Sequence, residues 1–291
     1  MTTQRNKFVL ITGCGEGGIG HALANHFIKN DCIVIATLLP NEGRKHLDHP
    51  QVHVLDLNVT NEEEMLPFKK QVESITDGKL DVLVNNAGIC YTMTAADTDV
   101  RQVEKMFAVN VFGPMRMVHH FHKMIVRSRG TVVNIGSIGG VCPYVFGASY
   151  NATKAALHHY GNTLRVELKP FGVRVVNIIS GEVSTNILKN DVRDSRALPD
   201  DSIYAPIAEI FKAHINRTPG EWSPREWELL VHWIDLDTMT PDEYARGVVT
   251  TVLKPSPPAW FWHGNSTLLV RMLDTFLPRT IFTYFEGLAL L

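Results

Sequence analysis

Six stretches of this chain are almost continuously apolar and stop at turn-forming residues: KFVLIT from Lys7, CIVIAT from Cys32, QVHVLDL from Gln51, LDVLVNNAG from Leu80, GTVVNIGS from Gly130 and VRVVNIIS from Val173. Runs of this kind read as strands buried on both faces, since a half-exposed strand would alternate apolar with polar positions. Between them, apolar positions return at helical spacing over about 19–29, 61–76, 99–127 and 149–169. Strand and helix in alternation call for parallel pairing, because a parallel neighbour needs a crossover long enough to hold a helix. The expected fold is therefore α/β: one doubly wound, Rossmann-type parallel sheet of about seven strands with helices on both faces. AWFWHG from Ala259 supplies a last edge strand.

The pattern changes after about residue 185, where prolines at 199, 206, 219 and 224 accompany Trp222, Trp227 and Trp233. A segment of this kind, about 186–240, reads as a lid over a binding site or as an ordinary packed helical insertion. From about 266 to 291 runs an apolar tail broken by Pro278. Packing of that tail on the body of the protein is the expectation, with peripheral contact to a membrane or lipid droplet as the alternative. No repeat or low-complexity linker divides the chain, so residues 1–291 read as a single domain.

Composition narrows the function. Apolar residues at 45% and charged residues at 20% suit a well-packed globule. A formal charge of −2 and no block of Lys or Arg argue against a nucleic-acid partner. Cys14, Cys32, Cys90 and Cys142 show no C-x-x-C pairing and are expected to be reduced thiols, which points to the cytoplasm. The histidine groups at His119 to His122 and at His158 and His159 lack metal-ligand spacing, so no metal is expected.

The first strand runs into TGCGEGGIG, with glycine at 13, 15, 17, 18 and 20. A glycine-rich strand-to-helix turn lets the backbone approach a pyrophosphate at the helix N-terminus. Gly13, Gly15 and Gly18 satisfy G-x-G-x-x-G, but the acidic residue that this fingerprint needs about 20 positions on is missing. The second strand ends instead in Thr37, Leu38 and Leu39. A second register, T-G-x4-G-x-G through Thr12, Gly13, Gly18 and Gly20, resembles the short-chain dehydrogenase/reductase loop with one extra residue. NNAG at Asn85 to Gly88, NVFG from Asn110, Ser137 at a strand end and YNATK from Tyr150 to Lys154 extend that resemblance over about residues 7–188.

Tyr150 and Lys154 stand one helical turn apart and share a face. A neighbouring ammonium favours the phenolate, so Lys154 is expected to lower the phenol's ordinary value near 10. Tyr150 is then the general acid in carbonyl reduction and the base in alcohol oxidation, and Ser137 donates a hydrogen bond to the same oxygen. The resemblance implies that Asn110 supports a water linking Lys154 to solvent and that Lys154 holds the nicotinamide ribose. It also places Gly13, Gly15, Gly18, Ile19 and Gly20 at the cofactor's phosphates. Asp56 and Leu57 fall at the adenine, Asn86, Ala87 and Gly88 along the cofactor, and Gly181, Val183 and Thr185 at the nicotinamide. Ser180 departs from the family's proline at that last segment.

The loop, SGEVSTNI, SIYAPI and PPAWFWHG resemble the branch of fungal NADPH-dependent 1-acyldihydroxyacetone phosphate reductases. The implied cofactor is NADPH, although Leu39 occupies the place of a phosphate-binding arginine and Glu16 is unfavourable, leaving Arg44 or Lys45 for the phosphate. NADH stays open. The expected substrate is a bulky apolar carbonyl, a secondary-metabolite or lipid-like intermediate. Its walls are drawn from Ile138, Val141, Tyr144, Val145 and Phe146 and from Tyr204, Ile207, Phe211 and the lid tryptophans. Arg193, Arg196 and Lys212 could instead serve a phosphate ester. A non-redox isomerase or cyclase reusing the pocket is the second class of function, and a homo-oligomer is expected.

Overall fold

The computed structural model describes residues 6–185, 187, 197–216 and 238–283. The six apolar runs are strands β1 (Lys7–Ile11), β2 (Cys32–Leu38), β3 (Val52–Asp56), β4 (Val82–Asn85), β5 (Thr131–Ile135) and β6 (Arg174–Ser180). The edge strand β7 (Trp260–His263) joins them in one parallel sheet, order β3-β2-β1-β4-β5-β6-β7. The crossovers are α1 (Ile19–Ile28), α2 (Glu62–Thr76), α3 (Val100–Phe107), α4 (Gly113–Ser128) and α5 (Ala148–Leu168). Later come α6 (Ala208–Asn216), α7 (Pro241–Val252) and α8 (Thr267–Phe276).

Each strand feeds two cores. Val9, Ile11, Val34, Val84, Val133 and Val176 pack with Leu23 and Phe27 of α1 and Tyr244 and Val248 of α7. Leu10, Ile35, Leu83, Val132 and Val175 face Met65 and Phe68 of α2 and Phe121 and Ile125 of α4. Alternate residues of one strand thus point into opposite apolar layers, which is why the runs are continuous. Strand order reverses between β1 and β4, opening a crevice at their carboxyl ends, where ligands bind in sheets of this type.

The single helix expected over 99–127 is interrupted. A π turn, Ala108–Phe112, joins α3 to α4 and has Asn110 at its centre. Asn110 Oδ1 accepts from Ile89 N–H at 2.9 Å, and its Nδ2 donates to Ile89 O at 2.9 Å and Thr153 Oγ1 at 3.1 Å. This clip ties the wide turn to the strand-end loop and to α5, and such turns cluster at functional sites.

Candidate active site

The glycine loop joins β1 to α1 at the edge of that crevice. Gly13 and Gly17 take left-handed φ of 71° and 73°. A Cβ on Gly13 would sit 2.9 Å from Ala87 Cα, and one on Gly20 would sit 2.3 Å from Gly13 O. These clashes favour the register Gly13, Gly18, Gly20: the outer two are demanded by close packing, and Gly18 is the N-cap of α1. That N-terminus has neither a side-chain cap nor an acidic residue in its first turn, so its N–H groups are free of intrahelical partners. Gly13, Gly15, Gly18 and Ile19 line the crevice, whereas Gly20 lies behind it as a spacer.

Thr12 opens the T-G-x4-G-x-G register but carries no role in the sequence reading, and the left-handed turn at Gly17 was not singled out there. Asn86 N–H and Ala87 N–H both donate to Thr12 Oγ1 at 3.0 Å, and Asn86 Nδ2 donates to Thr12 O at 2.9 Å and Gly13 O at 2.8 Å. This lock holds Asn86, Ala87 and Gly88 along the crevice wall. The T of the T-G pair was the available signal for Thr12. Gly17 gave none, since its φ cannot be told from that of its neighbours by residue type.

At the far end, Leu57, Asn58 and Val59 line the cavity beside Thr37, Leu38 and Leu39. Asp56 is not among the lining residues. Its half-exposed carboxylate pairs through Oδ1 with Arg44 Nη2. Glu16 and Glu42 stand in the lining at this end, and Leu39 N–H donates to Glu42 Oε2 at 2.7 Å.

Ser137, Tyr150 and Lys154 converge where β5 and α5 meet. Lys154 Nζ donates to Ile135 O at 2.9 Å and lies 5.5 Å from the Tyr150 ring centroid. Ser137 hydrogen-bonds Tyr150 and accepts from Gly139 N–H at 3.1 Å. Burial pushes the Tyr150 phenol well above its ordinary value, with Cys90 adding to the rise and the Ser137 hydrogen bond opposing it. This corrects the expected lowering by Lys154: helical spacing brings the ammonium near the ring, but desolvation is the leading cause and its direction is upward. Burial also lowers Lys154 to about 8. Asn110 is buried outside the cavity lining, and the two N–H bonds and one acceptor contact of its side chain are already used by Ile89 and Thr153. It positions the wall and does not touch Lys154 through its side chain.

Beneath this cluster runs a polar ladder on the α5 face of the sheet. Asn85 Nδ2 donates to Asn134 Oδ1 at 2.9 Å, Asn134 Nδ2 to Asn177 Oδ1 at 3.1 Å, and Asn177 Nδ2 to His158 O at 2.9 Å. A Cβ at Gly161 would lie 2.1 Å from Asn177 Oδ1, so α5 needs glycine there to reach the ladder.

The cavity occupies about 1480 Å3, more than the ~300–1,000 Å3 of a single small-ligand site. Gly181, Val183 and Thr185 line its β6 end together with Ser180, whose hydroxyl pairs with the buried Tyr244 hydroxyl at 2.5 Å. This bond across to α7 anchors the turn where the family has a proline. Ile138, Tyr144 and Val145 line the substrate side, while Phe146 and Phe211 are core residues packed against each other at 5.1 Å between ring centroids. Trp222, Trp227, Trp233, Arg193 and Arg196 lie outside the described residues. Part of the tail is a wall: Leu269, Val270 and Leu273 of α8 and Phe282 line the cavity, whereas Leu268, Met272 and Phe276 face outward. No helix among the described residues is long and apolar enough to cross a membrane.

Known proteins match this architecture. A profile of the family described as short chain dehydrogenase matches residues 7–196. Short-chain dehydrogenase RED1 of Pyricularia oryzae is 68% identical over 285 residues, covering 98% of this chain and 94% of that protein. The NADPH-dependent 1-acyldihydroxyacetone phosphate reductase of Schizosaccharomyces pombe is 37% identical over 283 residues, covering 96% and 93%. Among solved structures, a short-chain dehydrogenase from Streptomyces avermitilis superposes with a TM-score of 0.75 at 24% identity, covering 99% of this chain and 98% of that one. By fold, motif and sequence the chain belongs to the short-chain dehydrogenase family and is an oxidoreductase.

Proposed function

We propose that this oxidoreductase reduces bulky, mainly apolar ketones with NADPH. The observation that carries the reading is the cluster of buried Lys154 with half-buried Ser137 and Tyr150, all three lining a cavity walled by Tyr144, Val145, Leu269 and Val270. A dinucleotide fits the residues present. Gly13, Gly15 and Gly18 line the crevice without side chains, Gly20 lets α1 pack against Gly13 behind them, and the uncapped α1 N-terminus offers N–H donors to a pyrophosphate. Gly13, Gly15, Gly18 and Ile19 would hold the phosphates, Leu57 the adenine end, Asn86 to Gly88 the middle, and Gly181, Val183 and Thr185 the nicotinamide. When bound, the cofactor supplies the hydride.

The chain's own residues manage the proton. Tyr150 gives its proton to the substrate oxygen as negative charge grows there. Ser137 accepts from Gly139 N–H, which leaves its own hydroxyl proton to donate to that oxygen. The Lys154 ammonium stabilises the phenolate left behind. The phenol is protonated at neutral pH, as the acid of the reduction must be, whereas the oxidative direction needs phenolate at the start.

NADPH is supported by the name of the Schizosaccharomyces pombe relative. Glu16 and Glu42 favour sugar hydroxyls over a phosphate, so NADPH use places the burden on Arg44 leaving Asp56, or on Lys45. Quenching of protein fluorescence by NADPH and NADH, followed by turnover of α-tetralone, a long-chain acyl dihydroxyacetone phosphate and a short 2-keto acid, tests the reading. The highest kcat/KM is expected on the bicyclic ketone with NADPH. Fastest turnover of the keto acid would overturn the substrate class, sole turnover of the phosphate ester would place the chain with the lipid reductases, and more than tenfold preference for NADH would overturn the cofactor.

A further inference from the structure

His158 lies one turn beyond Lys154 on α5 and is buried. Its Nε2 sits 3.2 Å from Ser137 N. A backbone amide can only donate, so Nε2 is the acceptor and the proton of the neutral ring is on Nδ1. That Nδ1 has no hydrogen-bond partner among the described residues. A buried donor left unpaired is a cost that an apolar side chain of similar size would avoid, so space filling alone does not account for a histidine here. The acceptor does.

The turn after β5 is built around this ring. A Cβ on Gly136 would sit 2.1 Å from His158 Nε2, and one on Gly140 would sit 2.6 Å from Cε1. The two glycines bracket Ser137, whose amide is the group that the ring engages. The Asn177 amide holds the His158 main-chain oxygen at 2.9 Å, and the Trp260 ring lies 5.4 Å away, so the histidine is fixed from the sheet side as well.

We propose that His158 is a positioning residue for the reduction: its Nε2 lone pair holds the Ser137 amide and so aims the Ser137 hydroxyl at Tyr150 and the substrate oxygen. The inference rests on the reductase reading above. Burial, with the Lys154 ammonium as a second cause, pushes the ring's pKa to about 3, which keeps the lone pair available at neutral pH.

The test uses the full chain, NADPH and α-tetralone. His158→Leu is expected to lower kcat by about 10- to 100-fold, as a misdirected catalytic group does, while the Kd for NADPH stays within threefold. His158→Gln keeps an acceptor near the same place and is expected to recover most of the loss. Histidine 15N resonances of the parent protein should show one ring held as the Nδ1–H tautomer without titration between pH 5 and 8, absent from His158→Gln. Full kcat in a folded His158→Leu overturns the proposal. So does an equal loss in kcat, NADPH affinity and Tm in both variants, or a ring that titrates near 6.5. If Tyr150→Phe keeps full turnover, the reductase reading fails instead, and the tautomer still decides whether the ring holds Ser137.

Discussion

The two ends of the cavity are made of different material. The nucleotide end leans on backbone: Gly13, Gly18 and the uncapped start of α1 act through main-chain groups and through the absence of side chains, with the Thr12 and Asn86 side chains locking the loop beside them. The substrate end is mostly side chain, from Tyr144, Val145, Leu269, Val270, Leu273 and Phe282, contributed by segments far apart in sequence. A backbone site tolerates almost no substitution and serves one ligand shape. A side-chain site can be rebuilt residue by residue around an unchanged reaction centre, which is how one fold serves many substrates.

The contrast can be broken most severely at Gly20. Gly20→Val would drive a side chain into Gly13 O and Asn86 Nδ2, and the expected result is loss of measurable NADPH binding with a large fall in Tm, read by fluorescence quenching and thermal unfolding. Retention of parent affinity would show that the loop is looser than its packing implies.

A smaller effect comes from pH. With the Lys154 value lowered to about 8, its ammonium is lost as pH rises through that value, and the phenolate formed in the reduction loses its stabilising charge. Reductive kcat/KM is expected to fall above about pH 8, by up to tenfold per pH unit. Lys154→Arg stays charged to beyond about pH 12 and should abolish that limb even if overall activity is lower. A limb that persists unchanged in the arginine variant would assign it to another group.

Leu273→Ala is the mildest probe of the substrate end. Removing apolar wall should raise KM for α-tetralone by about tenfold, in line with the ~1–3 kcal/mol carried by small changes in an apolar pocket, and leave the Kd for NADPH unaltered. A matching change in NADPH affinity would mean that α8 supports both ends and that the division drawn here is false.

Legibility in the sequence followed the same division. The strands were readable because residues such as Val9 and Leu10 point into opposite apolar layers, and the motif residues were readable because they sit at strand ends and on one face of α5. The π turn at Asn110 was not, because one widened turn hardly disturbs the apolar spacing from 99 to 127. The pairing of Asp56 with Arg44 was not readable, because it depends on how the intervening loop returns to the sheet edge. The role of α8 depends on β7 bringing the chain back beside β6, a long-range pairing that no local pattern encodes. Spacing placed an ammonium near Tyr150 but carried no measure of burial, and burial sets the direction of the phenol's shift.

The central claim is that Tyr150 is the proton donor and that it acts on the substrate, apart from the backbone site that holds the dinucleotide. Tyr150→Phe tests it most directly, with kcat for α-tetralone and the Kd for NADPH measured on the same preparation. The account predicts a kcat reduced by about 100-fold or more, as for loss of a general acid, with NADPH affinity within threefold of the parent. A variant that keeps more than a tenth of the parent kcat would contradict it.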